Sequence, residues 1–151
     1  MKIIYTCFGG SHASVTAAAI HLGLLSDTRE AGNEEFLSLP YYDAQVAEDH
    51  GRLRFMGVDS AGNEVYVVGK RSLDERYQQL MPDLIRILGG NPDDFRFIDT
   101  MPYVNIWMRI GGYLSRRLKL PALGRNIVLY GTRRSYQRFI HLAQLVKKDL
   151  A

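Results

Sequence analysis

The run Lys2-Ile3-Ile4-Tyr5-Thr6 stops at Cys7 and passes through Phe8-Gly9-Gly10-Ser11-His12. From Ala13 the apolar residues take up a different spacing. No other feature constrains the chain so strongly. A β-branched and aromatic run that ends in paired glycines reads as a buried strand closing in a tight turn. Val15, Ala18, Ala19, Leu22 and Leu25 then recur at helical spacing, which predicts a first helix from Ala13 to about Leu25.

The same alternation continues downstream. Residues 26–51 are polar and acidic with little periodicity, a length that suits an active-site cover or an irregular packing segment. Arg52–Val58 and Glu64–Val68 flank Asp59-Ser60-Ala61-Gly62-Asn63, the punctuation of a β-hairpin. Ser72 stands three residues before Glu75, the spacing of a capping box. The helix it would open carries the stripe Tyr77, Leu80, Met81, Leu84, Ile85 and Leu88, with a kink or break expected at Pro82 and an end at Gly89-Gly90. Phe95–Asp99 reads as a strand, Val104–Leu118 as a helix, Asn126–Tyr130 as a strand and Ser135–Leu150 as a final helix. Strands alternating with helices predict an α/β three-layer sandwich: a mostly parallel sheet plus one β-hairpin, with helices on both faces.

In such sheets ligands gather beyond the carboxyl ends of the strands. Those ends are expected at Cys7, Gly69-Lys70-Arg71, Asp99-Thr100 and Gly131-Thr132-Arg133. Residues far apart in sequence therefore converge on one edge.

The turn after the first strand carries the most chemistry. Gly9 and Gly10 lack Cβ atoms where the chain reverses, so several N–H groups can face one centre. The positive end of the following helix faces the same place, and Ser11 and Ser14 add hydroxyl donors. A cysteine in that field gains thiolate character, which makes Cys7 a candidate nucleophile. His12 stands in the turn as a ligand-binding residue, and Thr132 and Arg133 offer hydroxyl and guanidinium donors from the other end of the sheet. A lone cysteine at a buried strand end is equally a small hydrophobe. His21, His50 and His141 show no metal-ligand spacing with one another or with Cys7, so no metal site is expected. No cofactor is specified by the residues.

Charge is where composition matters. Residues 1–100 hold 9 Lys/Arg against 15 Asp/Glu, whereas residues 101–151 hold 10 against 1. The basic third suits a phosphate-rich or acidic partner, a protein, nucleic acid or membrane surface; the reading that needs no partner is a solvated face neutralised by the acidic half. The helix beginning at Val104 mixes Trp107, Met108, Ile110 and Tyr113 with Arg109, a core helix or one that meets a partner or membrane surface. A chain of 151 residues is expected to form one domain. Its apolar runs are too short to span a bilayer, Met1-Lys2-Ile3-Ile4 has no signal-peptide pattern, and a single cysteine suits a reducing compartment. Cytoplasmic location is the expectation.

The loop Cys7–Ser14 resembles that of low-molecular-weight protein tyrosine phosphatases, which carry Cys, five residues, Arg, then Ser or Thr. Cys7 and Ser14 match, and Ala13 stands at the arginine position. The loop is similar, too, to that of the phosphocysteine-carrying B components of sugar phosphotransferase systems, which lacks the arginine; there Cys7, Gly10 and Ser14 match. The phosphatase resemblance implies a catalytic aspartate in an Asp-Pro-aromatic element. Asp99-Thr100-Met101-Pro102-Tyr103 is two residues longer, with Asp99 as the candidate general acid. Arg133, or Lys70 and Arg71, would then supply in space the cation missing at position 13.

Over nearly its full length the chain resembles a domain-of-unknown-function family of endospore-forming Gram-positive bacteria. The resemblance rests on Lys2–Tyr5 with Cys7–His12, Ala17–Gly23, Leu37–Tyr41, Asp99–Pro102 and Gly111–Leu118. It brings no assigned activity. The residues support a phosphate-type or nucleotide-type ligand at the Cys7–Ser14 loop with thiolate chemistry; the alternative is a non-catalytic interaction protein using its basic third.

Overall fold

Strand β1, Lys2–Cys7, buries every residue after Lys2, because it lies in the interior of a four-stranded sheet. A computed structural model describes residues 1–44, 46–116 and 121–150. The sheet runs in the order β2-β3-β1-β4, with β2 at Arg54–Val58, β3 at Glu64–Gly69 and β4 at Phe95–Asp99. β1 pairs in parallel with both β3 and β4, and β2 pairs antiparallel with β3 through the expected hairpin, with an irregularity between Phe55 and Gly57. Mixed α/β architecture with a mostly parallel sheet is therefore the observed class. Cys7 is in register with Gly69, and Thr6 with Asp99, so three strand ends do converge as the alternation predicted.

Side chains alternate across β1 and sort the core into two clusters. Ile3, Tyr5 and Cys7 join the larger one, with helix α1 (Ala13–His21) and helix α6 (Tyr136–Leu150), the latter through Phe139, Ala143 and Val146. Ile4 points the other way and packs with Val68, Tyr77, Met81 and Phe97. Tyr77 and Met81 belong to helix α3, Asp74–Ile87. All nine residues of α1 are buried, which explains its small, uncharged composition. The described residues of segment 26–51 include the short helix α2 (Asn33–Ser38), whose Phe36 is fully buried, and a 3₁₀ turn, Ala47–Asp49.

Several elements differ from expectation. α1 ends at His21, since Gly23 turns the chain at φ +73°. The capping box does not form: Ser72 lies in a 3₁₀ turn, Arg71–Leu73, and no side chain caps α3. α3 runs through Pro82 without ending. The largest correction is the predicted strand Asn126–Tyr130, which lies inside helix α5, Pro121–Arg134. Helix α4, Ile106–Arg116, packs on it so closely that a Cβ on Gly124 would stand 2.4 Å from the Ser115 nitrogen. One on Gly111 would stand 2.6 Å from the Val128 nitrogen. Burial in that contact outweighs the weak helix propensity of Ile127, Val128 and Tyr130. The predicted end of the α4 helix at Leu118 lies outside the described residues.

Candidate functional site

At the carboxyl end of β1 the chain turns through Phe8–His12 and enters α1, and Gly10 makes that turn possible. Its φ is +74°, and a Cβ there would lie 2.5 Å from the Gly69 nitrogen. Only glycine fits both the conformation and the approach to β3. The tight turn brings the Gly10 N–H to 3.0 Å from the Cys7 sulfur, and Ser14 Oγ stands 3.2 Å from the same atom. The Gly10 N–H donates to the sulfur, and in the second contact either the thiol or the Ser14 hydroxyl can donate. No side chain caps α1, and among the described residues the N–H groups of Gly9, Ser11, His12 and Ala13 find no acceptor.

Cys7, Phe8, Gly9, Ser11, His12 and Ala13 line the loop side of a cleft of about 730 Å³, whereas Gly10 and Ser14 are buried behind it and do not line it. Arg71, His50 and Arg109 add positive or polar groups, while Met101, Val104, Met108 and Tyr113 give an apolar wall. Arg71 is fixed there by its N–H bond to the Phe8 carbonyl and adopts φ +49°, an unusual conformation for a non-glycine residue. One guanidinium nitrogen donates to His50 Nδ1 at 3.2 Å. Arg109 comes from α4.

His12 is oriented by a residue that sequence alone did not single out. Its Nε2 is 3.1 Å from Asp43 Oδ1, while Asp43 Oδ2 accepts from Arg125 Nε at 2.7 Å. The Asp43 N–H also bonds to the Ser11 carbonyl, at 3.1 Å. The carboxylate is 2% exposed, and its backbone lies at φ +51°. His12 Nδ1 has no partner among the described residues. Arg54 buttresses the loop by donating to the Gly10 carbonyl while lying over the Tyr41 ring.

Not every predicted site residue reaches the cleft. Asp99 receives Lys70 Nζ at 2.8 Å and the Met101 N–H at 3.0 Å. Lys70 is buried in that pair, and neither residue is among those lining the cleft. Thr132 is buried in α5, where it donates to the Val128 carbonyl and bonds the Tyr42 hydroxyl at 2.9 Å. Arg133 projects from α5 to Glu30, 2.6 Å away. Both lose their predicted place at the sheet edge because the strand that would have carried them there is a helix. Of the cations proposed for the missing arginine, Arg71 alone lines the cleft. Asp43 gave no signal, lying in an aperiodic segment whose path only tertiary contacts define.

No curated protein and no solved structure matches the chain. The family described as Protein of unknown function (DUF3189) matches residues 2–148, and the chain belongs to that family.

Proposed function

We propose that the cleft binds a phosphate-type or nucleotide-type ligand against the Cys7–Ser14 loop and that Cys7 acts on it as a thiolate. The observation that carries this reading is at Cys7: its sulfur receives the Gly10 N–H beside Ser14 Oγ, and it lines the same cleft as Gly9, Ser11, His12 and Ala13, whose N–H groups have no acceptor among the described residues. Arg71 and Arg109 would supply the positive charge that position 13 lacks. Layered helices, α1 and α6 on one face and α3 on the other, would frame this edge, and a reducing cytoplasm would keep the thiol free.

In the step this arrangement suits, the thiolate attacks phosphorus, an S–P bond forms and the ester P–O bond breaks. The departing oxygen takes a proton from His12, whose ring Asp43 holds in place. Water then attacks phosphorus, returns a proton to His12, breaks the S–P bond and releases inorganic phosphate with the thiolate. His12 suits the proton transfer better than Asp99, since Asp99 is held by Lys70 away from the cleft lining.

Alkylation tests the reading directly, because Cys7 is the chain's single cysteine. Iodoacetamide is expected to modify the native protein rapidly near pH 7, and inorganic phosphate or vanadate to slow the reaction at least tenfold. A thiol that reacts no faster than free cysteine, with no protection by either anion, overturns the proposal.

A further inference from the structure

Helix α4 turns the wrong side outward. Ile106, Trp107, Ile110 and Tyr113 share one face at helical spacing, and they are 61%, 45%, 40% and 53% exposed. The opposite face, with Met108 and Gly111, is taken by α5 through the close glycine contact. α5 extends the exposed surface with Leu123 and Tyr130, and the Trp107 and Tyr130 rings meet edge to face at 5.6 Å. An amphipathic helix normally buries its apolar stripe; here exposed aromatic and aliphatic side chains stand on two packed helices and meet at Trp107 and Tyr130, with no cover among the described residues.

The two helices themselves contribute charge of one sign. From Thr100 to Lys148 the sequence contains no Asp or Glu. Arg109 lies one turn before Tyr113, and Arg134 one turn after Tyr130, so each flanks the surface. Neither has an acidic partner among the described residues, whereas Arg125 and Arg133 are engaged by Asp43 and Glu30.

We infer that the α4–α5 hairpin docks on an anionic lipid surface. Aliphatic side chains suit the acyl boundary, Trp and Tyr the headgroup level, and arginines the lipid phosphates. A second copy fits less well: two such faces meeting about a two-fold axis would oppose arginines with no carboxylate of the hairpin between them. Nucleic acid would use the rings and arginines but leave Ile106, Ile110 and Leu123 without a counterpart. No helix among the described residues is long and apolar enough to cross a membrane, so the contact is peripheral.

Trp107 is the chain's single tryptophan, so its fluorescence reports the contact without labelling. The full chain is mixed with vesicles of phosphatidylcholine containing phosphatidylglycerol, and with vesicles of phosphatidylcholine alone. The expected result is a blue-shifted emission and co-sedimentation with the anionic vesicles only, weakening as salt rises. Ile110→Glu is expected to lower vesicle affinity at least tenfold, and Arg134→Glu about tenfold. Unchanged emission with both vesicle types overturns the inference. So does an emission already blue-shifted in buffer together with a dimer mass, or a shift produced by single-stranded oligonucleotide and not by vesicles. If Ile110→Glu fails to fold, Arg134→Glu still decides: retained anionic-vesicle binding at all salt concentrations counts against the proposal.

Discussion

Gly10 approaches the end of β3 so closely that a Cβ on it would stand 2.5 Å from the backbone nitrogen of Gly69. The contact fixes where the first turn sits relative to the sheet, and thus where the Cys7 sulfur meets the Gly10 N–H. Gly10→Ala must displace backbone and hold a side chain at φ +74°. The expected cost is about 2–4 kcal/mol in urea unfolding, with slower Cys7 alkylation in the protein that remains folded.

Two adjacent glycines of α4 are expected to behave oppositely. Gly111→Ala brings a Cβ to 2.6 Å from the Val128 nitrogen, whereas a Cβ on Gly112 meets nothing within 4 Å. Gly111→Ala should destabilise by about 1–3 kcal/mol through overpacking. Gly112→Ala should stabilise by up to about 1 kcal/mol through helix propensity. Thermal melts of the pair read the difference.

A buried chain of hydrogen bonds gives the fold its acid sensitivity. The Tyr5 hydroxyl lies 2.8 Å from His21 Nδ1, and His21 Nε2 lies 3.0 Å from Asp59 Oδ2. Burial lowers the His21 pKa below its ordinary 6.5 despite the opposing pull of Asp59. The folded state thus holds the neutral ring, and this contribution is full above 6.5 and declines as pH falls below it. For Asp59, burial raises the pKa, but bonds from Asn63, His21 and the Asn63 and Ala61 N–H groups outweigh it and bring the value to about 2. That contribution is present above the ordinary 3.8 and is lost as pH falls from there through about 2. Urea midpoints measured from pH 8 to pH 2 should fall in both windows. Tyr5→Phe, which leaves Nδ1 buried without a donor, should cost about 1–3 kcal/mol at pH 8.

Asp43 bridges His12 and Arg125. If His12 moves a proton in the proposed reaction, Asp43→Asn should lower kcat on an aryl phosphate by about 10–100-fold with a smaller change in KM, and alter the pH profile. Phosphate protection of Cys7 should survive. An unchanged pH profile with reduced stability alone would assign Asp43 a purely structural role.

Cations separate by position. Arg71→Ala and Arg109→Ala should each weaken phosphate protection of Cys7 about tenfold, since both line the cleft. Arg133→Ala, whose guanidinium faces Glu30, should leave it unchanged. Equal losses at all three positions would point to a diffuse field rather than a built site.

Local chemistry determined the parts of this molecule that neighbours in sequence can specify. The run Lys2–Thr6, the glycine pair and the helical spacing from Ala13 dictate a strand, a turn and a helix, and the Asp59–Asn63 punctuation dictates the hairpin. Those elements suffice to place Cys7, Gly10 and Ser14 together, because only six residues, with one obligatory φ, lie between Cys7 and Ser14. Tertiary structure decided the rest. Asn126–Tyr130 has the composition of a strand and is a helix because Gly111 and Gly124 let two backbones touch, a contact that only the partner helix makes favourable. The same helical choice removed Thr132 and Arg133 from the sheet edge, while Asp43, Arg71 and Arg109 took places around the loop through folding of separate segments. A turn is written in adjacent residues; the cations and carboxylate around it depend on contacts that exist only once distant segments have packed.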